Sequence, residues 1–271
     1  MKKVRIDRFL VDKNFCENIE TAQRLLLSGR VRCNGILIDK PGQLILPDSI
    51  ITLKDINRYV SRGGLKLEKG AKFFQIDFQG KVVMDIGCST GGFTDFALQH
   101  DAAKVYAIDV GKGVLDYKLR NDQRVILHEE VNFRYVDFEL IGEYVDIIVG
   151  DLSFISLKQV RDKVAIFCKD GAEICLLIKP QFEVNKDEVG KGGIVTDFGL
   201  HKRVIAEVID YYSEKFLFCG LTKSPIKGVK SNIEYLVFFV YNKTNILNID
   251  IESIIEKVVD EEYSYYCKTA C

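Results

Sequence analysis

Near the start of the chain, the spacing of hydrophobic residues changes from the period of a helix to the alternation of a β-strand. Apolar residues recur every three or four positions over 5–13 and 17–28, which predicts two short amphipathic helices. Asn34-Gly35 then interrupts a segment of alternating apolar residues, a strong signal for a β-hairpin. Further short strands are expected at 44–46 and 50–53. The N-terminal pattern therefore predicts a small α+β domain.

Beyond residue 80 the pattern changes to short apolar runs separated by longer segments. Runs of strand length lie at 81–86, 105–108, 144–150, 174–178 and 233–241. Strands that alternate with longer, helix-compatible segments are typical of a mostly parallel sheet covered by helices. We therefore predict the α/β fold class, with a Rossmann-like, mostly parallel sheet.

These patterns divide the chain into four parts. We expect a small domain over 1–55, a polar linker over 56–64, the large α/β domain over 65–245 and a C-terminal tail over 246–271. A helical stripe of apolar residues runs through the tail at Ile251, Ile254, Ile255, Val258 and Val259. The pattern leaves open whether this tail packs on the body, forms a dimer contact or frays.

Composition and charge narrow the classes of function. The 271 residues contain no apolar run near the roughly 20 positions that span a membrane, and no apolar signal region follows the N-terminus, so we expect a cytoplasmic protein. None of the eight cysteines forms a Cys-x-x-Cys pair and there are three histidines, so a metal site is not expected. Residues 1–64 hold 12 basic and 7 acidic side chains, and this excess of positive charge is equally consistent with a polyanion as a partner and with an ordinary solvated surface.

A glycine-rich loop follows the first predicted strand of the large domain. Glycines allow a ligand to approach the backbone closely, and the helix that follows presents free amides. Asp109 ends the next strand, 22 positions after Gly87, where an acidic residue suits ribose hydroxyls. Both NAD and S-adenosylmethionine are bound by such a loop together with an acidic residue for the ribose. Ser89 stands where the dinucleotide fingerprint has its second glycine, which favours S-adenosylmethionine.

The loop and its neighbours supply the candidate cofactor-binding residues. Asn132 is a candidate contact to the adenine ring or, equally, an anchor of its own loop. The full set comprises Asp85, Gly87, Ser89, Thr90, Gly91, Gly92, Phe93, Thr94, Asp109, Asn132 and Asp151.

Ionisable residues lie at the ends of several predicted elements. Asp151 and Lys179 follow two strands, and the carboxyl ends of parallel strands meet at one edge of a sheet, where ligands bind. Glu234 lies near the start of the last strand, 233–241, and reaches the same edge if that strand runs antiparallel to the others, and Lys66 precedes the first strand. We expect the four side chains to converge on one pocket.

The N-terminal region resembles an S4-type RNA-binding domain. The resemblance rests on Arg5-Ile6-Asp7, on Ala22-x-x-Leu25-x-x-x-Gly29-x-Val31 and on the Asn34-Gly35 turn. It makes the following basic residues candidates for RNA binding: Arg5, Arg8, Lys13, Arg24, Arg30 and Arg32. Arg62, which lies outside this region, is a further candidate.

The whole chain up to about residue 242 resembles the TlyA (haemolysin A) family, in which an S4-type domain is fused to an FtsJ-like rRNA methyltransferase. The motifs are Ser61-Arg62-Gly63-Gly64-x-Lys66-Leu67, Asp85 to Asp95, Asp151 to Leu157, Lys179 to Glu183, Lys191 to Val195, and Ser224-Pro225-Ile226 with Asn232-x-Glu234. Cys88 and Ser231 depart from the usual pattern, the first at a position that is usually smaller and the second where glycine is common.

The resemblance implies a Rossmann-like methyltransferase domain with a seven-stranded sheet whose last strand is antiparallel. It further implies S-adenosylmethionine as cofactor, ribosomal RNA within the ribosomal subunits as partner and 2′-O-methylation of a ribose, by family precedent of a cytidine. It also implies a catalytic Lys-Asp-Lys-Glu tetrad, which falls on Lys66, Asp151, Lys179 and Glu234. Of these four, Lys179 is our candidate for the general base, because the ribose hydroxyl must lose its proton as it attacks the methyl group. Neither a metal nor a membrane is part of this expectation, and the oligomeric state stays open.

Other functions compete with this interpretation. The family name suggests a membrane-lytic toxin, which the lack of a cationic amphipathic or spanning helix disfavours. An RNA-binding protein with an inactive methyltransferase domain is a second alternative, disfavoured by the intact tetrad. A base N-methyltransferase is a third, because Asp151-Leu152-Ser153-Phe154 loosely resembles a motif of those enzymes, although its prolines are missing.

Overall fold

The structure is a computed structural model that describes residues 3–16, 18–53, 58–242, 250–261 and 264–267. The chain divides into two compact units, residues 1–58 and 59–271.

The N-terminal unit is the predicted α+β domain. Its elements are β1 (Val4–Arg5), α1 (Ile6–Asp12), α2 (Ile19–Leu27), β2 (Val31–Cys33), β3 (Ile36–Ile38), β4 (Leu44–Ile45) and β5 (Ile51–Leu53). Asn18 begins α2 because its side chain accepts a hydrogen bond from the Thr21 amide at 2.9 Å. Strand β2 pairs with β3 across the Asn34-Gly35 turn and with β5 on its other side. The two helices and the hairpin are confirmed.

The second unit is built around one large sheet. Its elements are α3 (Gly63–Phe74), β6 (Val82–Ile86), α4 (Gly92–Gln99), β7 (Lys104–Ile108), α5 (Tyr117–Arg120), β8 (Val125–His128), α6 (Phe138–Ile141), β9 (Val145–Gly150), α7 (Arg161–Phe167), β10 (Cys168–Ile178), α8 (Pro180–Glu183), α9 (Phe198–Ser213), β11 (Phe216–Lys223), β12 (Tyr235–Tyr241), α10 (Ile251–Asp260) and β13 (Ser264–Tyr266). The strand order is β13-β11-β12-β10-β9-β6-β7-β8. Strands β6 to β10 run parallel, and β12 is antiparallel to both of its neighbours.

The sheet has eight strands rather than the predicted seven. The extra strand, β13, comes from the C-terminal tail and pairs antiparallel with β11. Ahead of it, α10 buries Ile254, Ile255, Val258 and Val259 in the same apolar core as α9 and β11. The described part of the tail therefore packs on the body. A three-residue strand is too short for its side-chain alternation to be recognised in a sequence.

The stretch before β6, for which no helix was predicted, contains α3. Lys66 lies in the first turn of α3, a helix that was not predicted. Of the predicted linker 56–64, residues 59–64 belong to the second unit, and 56 and 57 lie outside the described residues. Tyr59 is buried, and the Val60 amide donates to Asp95 Oδ2 at 2.8 Å. Gly64 is required there because a Cβ would lie 2.2 Å from Tyr59 Cγ.

The topology determines where a ligand can bind. Strand β6 has β7 on one side and β9 on the other, so the direction of winding reverses between β6 and β9. Open α/β sheets bind ligands in the crevice outside the carboxyl ends of the strands at such a point.

Among the described helices, none combines the length and apolarity that a membrane crossing needs.

Candidate active site

The glycine-rich loop after β6 forms one wall of this crevice. Gly87 and Gly91 adopt the left-handed region, with φ of 78° and 95°. A Cβ on Gly91 would lie 2.2 Å from Leu119 Cδ1, and one on Gly92 would lie 2.7 Å from the Gly64 amide nitrogen. The loop thus has its sharp turn and its close packing only because these side chains are absent.

Asp109, predicted to bind ribose, also holds this loop in place. Its Oδ2 accepts a hydrogen bond from the Ser89 amide at 2.8 Å, and its Oδ1 accepts one from the Gly111 amide at 2.7 Å. Asn132 Oδ1 accepts from the Arg134 amide at 3.1 Å, so Asn132 is an anchor of its loop. Both residues also line a cavity beside the glycine-rich loop.

Asp85, at the end of β6, is fully buried with one oxygen unsatisfied. Its Oδ2 accepts a hydrogen bond from Thr94 Oγ1 at 2.6 Å, whereas Oδ1 has no hydrogen-bond partner among the described residues. Burial raises the pKa of this carboxyl group to about 7, against the opposing effect of Thr94. A buried carboxylate oxygen without a partner, at the wall of a cavity, suits a cationic or hydrogen-bonding ligand.

The four residues predicted to converge do lie together. Lys66 Nζ lies 3.0 Å from Asp151 Oδ2 and 2.7 Å from Glu234 Oε2. Lys179 Nζ lies 2.6 Å from Asp151 Oδ1, so Asp151 bridges the two amines. All four side chains line one cavity of about 340 Å³ together with Asp85 and the glycine-rich loop.

The two lysines differ in their surroundings. Burial works against the charge on Lys66, but Asp151 and Glu234 outweigh it, so the pKa of Lys66 is raised. Burial likewise works against the charge on Asp151, but the two lysines lower its pKa overall. Lys66 is therefore an ammonium group held by two carboxylates. Lys179 Nζ contacts the carboxylate of Asp151, and among the described residues it also lies near the neutral Ser153 hydroxyl, the Asp151 carbonyl and the Phe182 ring.

Several residues that shape the site were not predicted. Gly228 lies against Glu234, and a Cβ there would lie 2.0 Å from Oε1. Asn232, noted in the sequence only as part of a motif, accepts from the Val195 amide at 3.1 Å and donates to the Gly193 carbonyl at 2.9 Å. These contacts join the turn at 190–194 to the segment that carries Glu234. A glycine or an asparagine in one sequence carries no signal of such a contact.

Both departures from the family pattern have a structural setting. Ser231 adopts φ of 70°, in the left-handed region where glycine is favoured, so its side chain makes this turn more strained. Cys88 is buried beside the glycine-rich loop, where burial raises the pKa of its thiol. The thiol is therefore a neutral packing group.

The basic residues predicted to bind RNA lie at the surface. Arg5, Arg8, Lys13, Arg24 and Arg32 are exposed and Arg30 is half-buried, all in the N-terminal unit. Arg5 also pairs with the buried Asp7 at 2.6 Å. Arg62, in the second unit, is exposed and lines the cavity that holds the four converging residues.

Comparison with known proteins gives both units a family. The FtsJ-like methyltransferase family matches residues 59–241, and the S4 domain matches residues 4–51. The 16S/23S rRNA (cytidine-2′-O)-methyltransferase TlyA of Mycobacterium tuberculosis is 38% identical over 240 residues, 88% of this chain and 90% of that protein. Hemolysin A of Brachyspira hyodysenteriae is 39% identical over 243 residues, 88% of this chain and all of the relative.

A solved structure agrees with these matches along nearly the whole chain. A proposed hemolysin of Streptococcus thermophilus superposes with a TM-score of 0.71 and 37% identity, over 96% of this chain and 97% of that one. The chain therefore belongs to the FtsJ-like methyltransferase family, in the group with an N-terminal S4 domain that includes TlyA and hemolysin A.

Proposed function

We propose that the protein is an S-adenosylmethionine-dependent rRNA methyltransferase that methylates the 2′-hydroxyl of a ribose, in a cytidine as the name of the TlyA relative states for that protein. The observation that carries this proposal is the cluster of Lys66, Asp151, Lys179 and Glu234 at the wall of the same cavity as the glycine-rich loop.

The residues around the loop fit S-adenosylmethionine. This cofactor would supply a methyl group carried on a positively charged sulfur. Transfer of the methyl group leaves that sulfur as a neutral thioether. Asp85 would face the cationic end of the cofactor, since its Oδ1 is buried and has no hydrogen-bond partner among the described residues. Asp109 and Asn132 line the neighbouring cavity, at the place predicted for the adenosine end.

The chain's own residues then have distinct tasks. Lys179 accepts the proton of the ribose hydroxyl, because an alcohol becomes an effective nucleophile only when this proton is removed. Asp151 orients the Lys179 amine at 2.6 Å and stabilises the ammonium group that forms. Lys66, held by Asp151 and Glu234, supplies a fixed positive charge beside the base. Alignment of the hydroxyl with the methyl group contributes at least as much as the proton transfer.

Recognition of RNA would combine charge with an aromatic contact. The exposed arginines of the N-terminal unit suit phosphate groups. Phe154 is 90% exposed, follows the cavity residue Ser153 and has φ of 62°, which for an aromatic residue is a strained conformation. An exposed aromatic ring at the mouth of the site suits stacking with a nucleotide taken out of its helix.

The direct test incubates the protein with methyl-labelled S-adenosylmethionine and separated small and large ribosomal subunits. We expect label in rRNA, at a nucleotide whose 3′ linkage resists alkaline cleavage because its 2′-oxygen is methylated. Label that leaves every linkage sensitive to alkali would indicate a base methyltransferase instead. Binding of rRNA without any transfer of label would support the RNA-binding alternative.

The pKa of Asp85 predicts how cofactor affinity depends on pH. The pKa of the Asp85 carboxyl group is raised from 3.8 to about 7. Protonation of this group therefore stabilises the free protein as the pH falls through 7 toward 4. A bound cation favours the ionised form. We therefore expect S-adenosylmethionine to bind more tightly as the pH rises from about 6 to 7.5, by up to about tenfold per unit, with release of protons.

Isothermal titration in buffers of different ionisation enthalpy measures this proton release. Asp85→Asn is the matched control, because an asparagine keeps the shape and does not titrate. Its affinity should be weaker and free of the pH dependence. An equal pH dependence in Asp85→Asn would assign it to another group.

A further inference from the structure

Lys179 has few routes by which a proton can leave it. Its side chain is only 8% exposed. Three oxygens of the described residues surround Nζ: Asp151 Oδ1 at 2.6 Å, Ser153 Oγ at 2.8 Å and the Asp151 carbonyl at 3.4 Å. Of these three, the hydroxyl group already holds a proton of its own, so it can donate one proton while it accepts another.

The alternative carrier is a poor one. Once Lys179 holds the ribose proton, Asp151 compensates two ammonium groups. Against the effect of burial, the two lysines lower the pKa of its carboxyl group. A carboxylate in that setting releases a proton as soon as it receives one, and it directs that proton back to the lysines. Ser153, by contrast, is exposed to solvent and lines both cavities of the site.

The loop that carries Ser153 is fixed at both ends. Asp151 is held by the two lysines. On the other side, Glu183 accepts hydrogen bonds from Ser156 Oγ at 2.5 Å and from the Leu157 amide at 2.7 Å. The position of the hydroxyl relative to Lys179 is thus determined by its surroundings rather than by a free loop.

We propose that Ser153 is the proton outlet of Lys179, a positioning residue that resets the base after each methyl transfer. This inference rests on the proposed function. In the transfer step, the ribose O–H bond and the sulfur–methyl bond break, and an N–H bond on Lys179 and the oxygen–methyl bond form. In the reset step, Lys179 gives one proton to Ser153 Oγ while the proton that Ser153 Oγ carried before passes to water. Lys179 thereby returns to the neutral amine.

The test measures multiple-turnover methylation of rRNA by Ser153→Ala, Ser153→Thr and the parent, at saturating substrates and increasing imidazole. We expect Ser153→Ala to lose about 10- to 100-fold in kcat, the effect of one hydrogen bond to a charged group. Imidazole should restore part of that loss, because a small base can accept the proton directly. Ser153→Thr keeps the hydroxyl and should stay within a few-fold of the parent.

Ser156→Ala is the matched control from the same loop, since it loses a contact to Glu183 but keeps the Ser153 hydroxyl. Any loss of rate in this variant should not respond to imidazole. Affinity for S-adenosylmethionine and the melting temperature report the structure of each variant and should change little in Ser153→Ala. Parental kcat in Ser153→Ala, or a loss that imidazole leaves unchanged, would overturn the proton outlet while the methyltransferase function stands. A parent that transfers no methyl group would remove both.

Discussion

Replacement of Lys179 by alanine is expected to abolish measurable methyl transfer while affinity for S-adenosylmethionine stays within a few-fold. The amine is the proposed acceptor of the ribose proton, and general-base catalysis contributes about 10²–10⁴-fold to a rate. The cofactor contacts are proposed for other residues, in the loop after β6 and at Asp109, so they remain in place. Single-turnover methylation and isothermal titration measure the two quantities separately.

The variant should remain folded, because Asp151 keeps Lys66 as a partner at 3.0 Å when Lys179 is removed. Lys179→Met retains the apolar stem and should show the same loss of rate, which separates the amine from the packing. Lys158→Ala is a control on the surface of the same unit, where its amine pairs with Glu207, and it should methylate at the parental rate. Parental activity in Lys179→Ala would show that another group is the base.

The sequence predicted the parts of the fold that depend on local patterns. Apolar runs identified β6, β7, β9 and β12, since buried strands are nearly continuous hydrophobic segments. The convergence of Asp151 and Lys179 followed from topology alone, because residues that follow parallel strands share an edge. Glu234 required the additional prediction that β12 is antiparallel, and the pairing of β12 with β10 confirms it.

Other features depend on contacts that no local pattern records. Helix α3 begins with Gly63-Gly64, which resembles a linker in sequence but serves close packing against Tyr59. Strand β13 exists only because β11 offers a free edge. Ser153 has an ordinary place in its motif, and its contact with Lys179 requires the loop after β9 to turn back toward β10.

The second large effect, on cofactor binding and stability, is expected from a substitution in the glycine-rich loop after β6. Gly91→Ala should weaken binding of S-adenosylmethionine at least about tenfold and lower the free energy of unfolding by about 2–4 kcal/mol. Gly91 has φ of 95°, a conformation that is costly for alanine, and its new Cβ would lie 2.2 Å from Leu119 Cδ1 and 2.7 Å from Leu115 Cδ1. Both leucines are buried, so the loop rather than the core would shift.

Gly80→Ala is the control that introduces a similar left-handed backbone strain without a steric clash that would displace the loop. Gly80 lies before the amino end of β6 with φ of 69°, and a Cβ there has no neighbour within 4 Å. This variant should lose only about 1–2 kcal/mol of stability from the left-handed backbone and should bind the cofactor like the parent. Chemical denaturation and isothermal titration on both variants provide the comparison. If the Gly91 variant binds as tightly as the Gly80 variant, the loop after β6 does not contact the cofactor, and the site must be placed elsewhere along the sheet edge.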